Sequence, residues 1–147
     1  MGVWRLLKPE TRDAFTNMAI DEAILTARIA GKVPNTLRFY RWKPSAVSIG
    51  RFQKLSNEVH VENCRKHGVD MVRRITGGGA VYHDQDGEIT YSVVVNGRDL
   101  GCAEMYMVYA YKAICGGLIE AVKILGTNAE FNPTDPKQCP NLSLIHI

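Results

Sequence analysis

The chain has 147 residues, a length that suits one domain burying roughly 68–70% of its unfolded surface. Hydrophobic residues make up 46% of it and charged residues 22%, a globular balance that excludes a disordered or low-complexity chain. The formal net charge of +3 is scattered rather than concentrated, which argues against nucleic acid as a partner, and no apolar run reaches the ~18 residues of a membrane-spanning helix.

In chain order, residues 3–7 alternate loosely and read as a first strand. From 14 to 30, Phe15, Met18, Ala19, Ala23, Ile24 and Ala27 recur at helical spacing, with Asp13 or Thr16 as cap and Gly31 as stop. Residues 36–42 and 46–49 read as strands around a Lys43-Pro44-Ser45 turn, and 59–67 as a short helix stopped by Gly68. A strand at 70–74, a glycine loop, and strands at 80–82 and 89–95 follow, the last two joined by an Asp86-Gly87 hairpin signal. Residues 103–125 read as a long helix and 128–131 as the start of another strand. The expected fold is α+β, a mixed, largely antiparallel sheet flanked by helices.

Cysteines stand at 64, 102, 115 and 139 with no Cys-x-x-Cys pair, which fits neither a zinc site nor a disulfide framework and favours a reducing cytosol. His60, His67 and His146 share no metal-ligand spacing, so no metal site is expected from the residues. The N-terminal MGVWRLLKPE lacks a signal-peptide core, and Leu6 stands where a myristoylation signal needs Ser or Thr. These features read as a soluble cytoplasmic protein.

The most informative stretch is Arg73-Arg74-Ile75-Thr76-Gly77-Gly78-Gly79-Ala80-Val81-Tyr82-His83-Asp84. Three consecutive glycines let backbone lie against a partner with no Cβ between, and the arginines suggest an anion. Neither the P-loop nor the dinucleotide-binding glycine pattern is present, so loop N–H groups and arginine side chains would hold it. Strand alternation means that Arg73 and Arg74 cannot both face the loop: one is a ligand candidate, the other points to solvent or to a structural carboxylate. By the same rule Ala80 and Tyr82 share one face, and Val81 and His83 the other.

RRITGGGAVYHD resembles the signature of the lipoate–protein ligase A family, which shares its fold with biotin–protein ligases and octanoyltransferases. Asn17-Met18-Ala19-Ile20-Asp21-Glu22-Ala23 is similar to the family's first-helix motif. Leu37-Arg38-Phe39-Tyr40-Arg41-Trp42, Ser48-Ile49-Gly50-Arg51-Phe52-Gln53 and Thr90-Tyr91-Ser92 are similar to its strands. The resemblance implies ATP-dependent activation of lipoate to lipoyl-adenylate, usually with Mg²⁺. Transfer would follow to a lysine on the lipoyl domain of a 2-oxoacid dehydrogenase complex or on the glycine-cleavage carrier protein. It also implies ligand contacts from Arg74, Gly79, Ala80, Val81 and Tyr82, with Gly77 and Gly78 letting the backbone close in and His83 nearby. Arg73 is then the supporting arginine, and the acyl tail would lie in a slot walled by the strands around Phe39 and Val47.

Departures from the family pattern open other readings. Glu88 stands where the family often has Asn, and reads either as a group acting on phosphate or Mg²⁺ or as a solvated strand-start residue. The family's catalytic lysine has no counterpart after Pro140-Asn141. Residues 1–141 therefore read as the N-terminal part of a catalytic domain, inactive and poorly soluble alone, and 142–147 as a tail foreign to the family, of the kind that translated sequencing-adapter bases leave. An octanoyltransferase with Cys139 as nucleophile is the alternative enzyme, although that class usually has an arginine where this chain has Gly79. A third reading is an acyl-adenylate-binding subunit whose separate partner chain supplies the lysine.

Overall fold

A computed structural model describes residues 2–100 and 107–130. The first strand, β1 (Trp4–Arg12), runs past the expected end and through Pro9. It can do so because β1 is an edge strand whose register shifts between Leu7 and Glu10, so the missing N–H breaks no central ladder. Helix α1 (Ala14–Ile29) is capped by Asp13, whose carboxylate accepts from the Thr16 N–H at 2.8 Å and the Thr16 hydroxyl at 2.7 Å.

Strands β2 (Asn35–Trp42) and β3 (Ala46–Ile49) follow. The short helix expected at 59–67 is α3 (Val61–Lys66), preceded by a one-turn helix not expected from the sequence, α2 (Leu55–Glu58), from which extended Val59 separates it. Next come β4 (Asp70–Arg73), β5 (Val81–His83), β6 (Thr90–Val94), a 3-10 turn at Gly97–Leu100, and α4 (Met107–Ile124). Residues 128–130 have no regular structure, and Phe131 lies outside the described residues, as do Cys102 and Cys139.

The α+β class with mixed sheets holds. One sheet has the order β1-β2-β6 and the other β4-β3-β5; β1 is parallel to β2 and β3 to β4, while β2–β6 and β3–β5 are antiparallel. Asp86-Gly87 does not close a hairpin, since β5 and β6 belong to different sheets. The Asp84 carboxylate forms the turn instead, accepting from the N–H of Asp86 at 2.7 Å and of Gly87 at 3.0 Å. These two bonds hold the Asp84 carboxyl below the usual carboxylate range.

Ala14 and Met18 of α1 pack with Tyr40 and Trp42 of β2, Ala46 of β3 and Val72 of β4, so the helix is wedged against both sheets. Only part of the expected apolar stripe, Met18 and Ile24, faces inward. Phe15, Ala19 and Ala23 are exposed, while Asn17 and Ile24 are buried and Asp21 is half-buried. The reason is Arg38, which is 3% exposed at the centre of β2. Its guanidinium donates to Asp21 Oδ1 at 2.8 Å, to Asn17 Oδ1 at 2.7 Å and to the Asn17 carbonyl at 3.1 Å, and lies 4.0 Å over the Tyr40 ring. Asp21 also accepts from the Tyr40 hydroxyl at 3.1 Å and from Ser92 at 3.0 Å. Burial and the Asp21 charge raise the Tyr40 pKa, so it remains a neutral donor. A buried arginine must be matched in this way, and the pairing turns the polar side of α1 inward.

Removing Asp21 leaves that arginine uncompensated. Asp21→Ala is expected to lower the unfolding free energy by about 3–5 kcal/mol, read as a fall in the urea midpoint. A midpoint unchanged from the parent would show that the cluster is not what holds α1 in place.

Candidate functional site

The glycine loop hangs between β4 and β5, both paired to β3. Backbone bonds extend the β3–β4 ladder to its mouth: Arg74 N–H donates to Ile49 at 2.8 Å, and Arg51 N–H to Thr76 at 2.8 Å. As alternation requires, the two arginines part company, but neither takes a carboxylate in these contacts. Arg73 Nη1 donates to the carbonyls of Gly50 at 3.0 Å, Arg51 at 3.1 Å and Gln53 at 2.6 Å, pinning the turn after β3. Arg74 Nη1 donates to Ser48 Oγ at 2.8 Å and the Ser48 carbonyl at 2.9 Å, while its Nη2 donates to the carbonyls of Gly77 at 3.0 Å and Gly79 at 2.8 Å.

With the carbonyls of Gly77 and Gly79 gripped from below, the loop turns at Gly78, whose φ is +93°. Among the described residues, the N–H groups of Gly78 and Gly79 donate to no protein acceptor, and Gly78 is exposed. The sequence of glycines is matched from across the sheet by Gly50, where a Cβ would overlap the Gly78 carbonyl oxygen. Gly50 was visible in the strand motif, but its role as the floor of the loop was not.

On β5, Tyr82 is exposed and His83 is buried, as alternation predicts, with exposed Ala80 on the Tyr82 side and half-buried Val81 on the other. His83 stacks on Trp42 at 4.1 Å between ring centroids. Its Nε2 is 2.7 Å from Ser48 Oγ and its Nδ1 is 2.7 Å from Glu88 Oε1. Glu88 Oε1 also accepts from the Thr90 hydroxyl at 2.6 Å, and Thr90 in turn accepts from the Trp42 indole N–H at 2.7 Å. Glu88, half-buried, is thus held by His83 and Thr90 rather than standing free in solvent. Ser48, Thr90 and Trp42 complete a chain that sequence reading did not connect, because its members are up to 48 residues apart.

Burial lowers the pKa of Arg74 and, as the largest influence, that of His83, although the hydrogen bond and charge of Glu88 oppose the latter. Phe39 and Val47, the expected slot walls, are half-buried on strands of different sheets. Among the described residues, no group of three or more His, Cys, Asp or Glu side chains is arranged to hold a metal ion, and no helix is long and apolar enough to cross a membrane. Cys64 and Cys115 are free, half-buried thiols.

Two half-buried strands, β4 and β5, thus flank a glycine loop into which an arginine is bonded. Residues 13–141 match the lipoyl protein ligase A/B catalytic domain, and the chain belongs to that family. It is 45% identical over 130 residues to the octanoyltransferase LipM of Brevibacillus brevis, covering 88% of this chain and 46% of that protein. Identity to the octanoyltransferase LipM of Clostridioides difficile is 41% over 130 residues, covering 88% and 47%. Among solved structures it is similar to a bi-partite lipoate protein ligase of Thermoplasma acidophilum, with a TM-score of 0.73 and 33% identity over 88% of this chain and 48% of that one. The chain spans about half the length of the curated relatives it matches.

These relatives overturn the expectation of an ATP-dependent lipoate ligase: the proteins 41–45% identical are octanoyltransferases, whereas the ligase likeness is at 33%. The motifs that suggested the ligase are those that build the shared scaffold. Asn17, Asp21 and Arg38 lock a helix to a sheet, and Gly50 and Gly78 pack backbone on backbone. Keeping Gly79 where an arginine was expected for a transferase did not mark a ligase.

Two outcomes check this geometry. Gly50→Ala must displace the glycine loop, and is expected to destabilise the fold by roughly 1–3 kcal/mol and to shift the amide resonances of residues 77–79. Unshifted resonances would refute the close approach. The second concerns pH. Because the folded His83 pKa lies below its ordinary 6.5, the unfolded chain binds the proton at higher pH. The stability contributed at His83 is complete above that value and is lost as pH falls through it toward the folded pKa. Urea midpoints measured from about pH 8 down to about pH 5 should fall, and His83→Gln should flatten that slope.

Proposed function

We propose that the protein is a cysteine-dependent acyltransferase of the octanoyltransferase type, taking a medium-chain acyl group from a carrier-bound thioester and delivering it to a lysine of a lipoyl domain. Cys139 is the proposed nucleophile, and the N–H groups of Gly78 and Gly79 the proposed donors to the developing oxyanion. Ala80, Val81 and Tyr82 continue the strand that presents the loop, and belong to the proposed acyl-binding surface.

The observation that carries this reading is the commitment of Arg74. Both terminal nitrogens of its guanidinium are bonded to Ser48 and to the loop carbonyls, so it works as a clamp on the loop. What the loop offers outward is backbone N–H, a donor suited to one carbonyl oxygen as it becomes an oxyanion. The octanoyltransferase relatives support the same chemistry.

The reaction balances without nucleotide. The cysteine thiolate adds to the thioester carbonyl, and the tetrahedral oxyanion collapses with departure of the carrier thiolate, which takes up a proton. The lysine amine then attacks the acyl-cysteine, an amide forms, the amine proton is released, and the cysteine thiolate is regenerated. A thioester is already activated, so the step that ATP supplies in a ligase has no counterpart.

Incubation with an octanoyl-carrier thioester, without ATP, is expected to leave an octanoyl group on the peptide containing Cys139. Cys139→Ser should lose the adduct and lower transfer to a lipoyl domain by about 10³-fold or more. Dependence of transfer on ATP, or an adduct that persists in the serine variant, would sink the reading.

A further inference from the structure

We infer that Glu88 is a positioning residue for the glycine loop, acting through the His83 tautomer and the Ser48 hydroxyl on the Arg74 clamp. The inference deepens the acyl-transfer reading, on which only its kinetic arm rests.

Ser48 Oγ, His83 Nε2, His83 Nδ1 and Glu88 Oε1 follow one another at 2.7 Å and 2.7 Å, in the order of a serine–histidine–acid relay. Ser48 is nevertheless no nucleophile. It is fully buried, and its oxygen accepts from Arg74 Nη1 at 2.8 Å, so a substrate carbonyl has no line of approach. The relay ends on an arginine, and the arginine ends on the loop.

Counting protons gives the chain a direction. An ionised Glu88 can only accept, so the bond to it places the imidazole proton on Nδ1. Neutral His83 then has a lone pair on Nε2, and Ser48 O–H donates to it. The serine lone pairs are left for the Arg74 N–H, and every donor has an acceptor. Consistent with this, no buried side-chain N or O among the described residues lacks a partner. The opposite tautomer sends His83 Nε2–H and Arg74 N–H to the same serine oxygen and leaves the Ser48 O–H without its acceptor, an arrangement that is costly in a buried site. The charge of Glu88 therefore sets the orientation of Ser48, which holds Nη1 of Arg74 while Nη2 holds Gly77 and Gly79. Thr90, donating to the same Glu88 oxygen at 2.6 Å, fixes the carboxylate.

The test uses three variants and two kinds of readout. In the parent, ¹⁵N spectra of the His83 ring near neutral pH should show Nδ1 protonated and Nε2 bare. Glu88→Gln, which can donate as well as accept, is expected to move the ring toward the Nε2–H tautomer and to shift the amide resonances of Gly78 and Gly79. Ser48→Ala should leave the ring tautomer as in the parent and shift the same amide resonances, which separates the relay from a general loss of packing. In the acyl-transfer assay, both should lower kcat by about tenfold with KM little changed, and Glu88→Asp should restore part of it. A parent ring protonated on Nε2, or loop amide resonances unshifted in either variant, overturns the inference. Absence of acyl transfer in the parent protein refutes the functional reading and leaves the spectroscopic arm intact.

Discussion

The two sheets of this domain are joined at their centre by one buried chain of polar contacts. Trp42 and Thr90 belong to the β1-β2-β6 sheet, Ser48 and His83 to the β4-β3-β5 sheet, and Glu88 lies in the connection between them. Each member is inside because another satisfies it, and the stacking of His83 on Trp42 adds an apolar contact along the same line. Polar chains of this kind restrict geometry more than they add net stability, since a shift in one member leaves another buried group unpaired. The glycine loop depends on that restriction: a run of glycines has little conformational preference of its own, so its shape comes from Arg74, and the orientation of Arg74 from this chain.

A second polar centre, around Arg38, does for the scaffold what the first does for the loop. Asn17 and Asp21 stand one helical turn apart on α1 and meet the same guanidinium. Their burial explains why a helix whose apolar residues recur at regular spacing packs with a rotated face that keeps Met18 and Ile24 inside but not Phe15, Ala19 or Ala23. Periodicity reports where apolar side chains point, but a matched buried ion pair can outweigh several alanines, which have little area to hide. Phe15 is exposed for this reason, with Ala19 and Ala23 beside it along the outer face.

Much of the fold was legible because it is written in local patterns. Strands β2, β3, β4 and β6 carry alternating or continuous apolar residues bounded by turns, and α1 has its capping aspartate. What was not legible depends on pairing across the chain. The Asp86-Gly87 turn has the chemistry of a hairpin, yet which strands flank it in space is decided by β2 and β3, about 45 residues earlier in sequence. The division of labour between Arg73 and Arg74 followed from strand alternation alone. Their partners did not, because backbone carbonyls leave no mark in a sequence. Glu88 was misread for a similar reason: its partner His83 is close in sequence, but only the fold brings both against Ser48 and Thr90.

The distinction between transferase and ligase turns on what an arginine beside a glycine loop is for. A guanidinium in such a place suggests phosphate, since the fork matches two phosphoryl oxygens as well as it matches a carboxylate. One terminal nitrogen of the same group can also hold a pair of carbonyls, and here Arg74 Nη2 holds those of Gly77 and Gly79. Bonded in that way, the arginine draws the carbonyl dipoles inward and leaves the opposite, N–H, side of the loop outward. In the proposed acyl-transfer reading, one cation thereby shapes an anion site by gripping the loop from within. The charge that such a loop can best stabilise is small and local, one oxygen of a tetrahedral intermediate rather than a phosphate group.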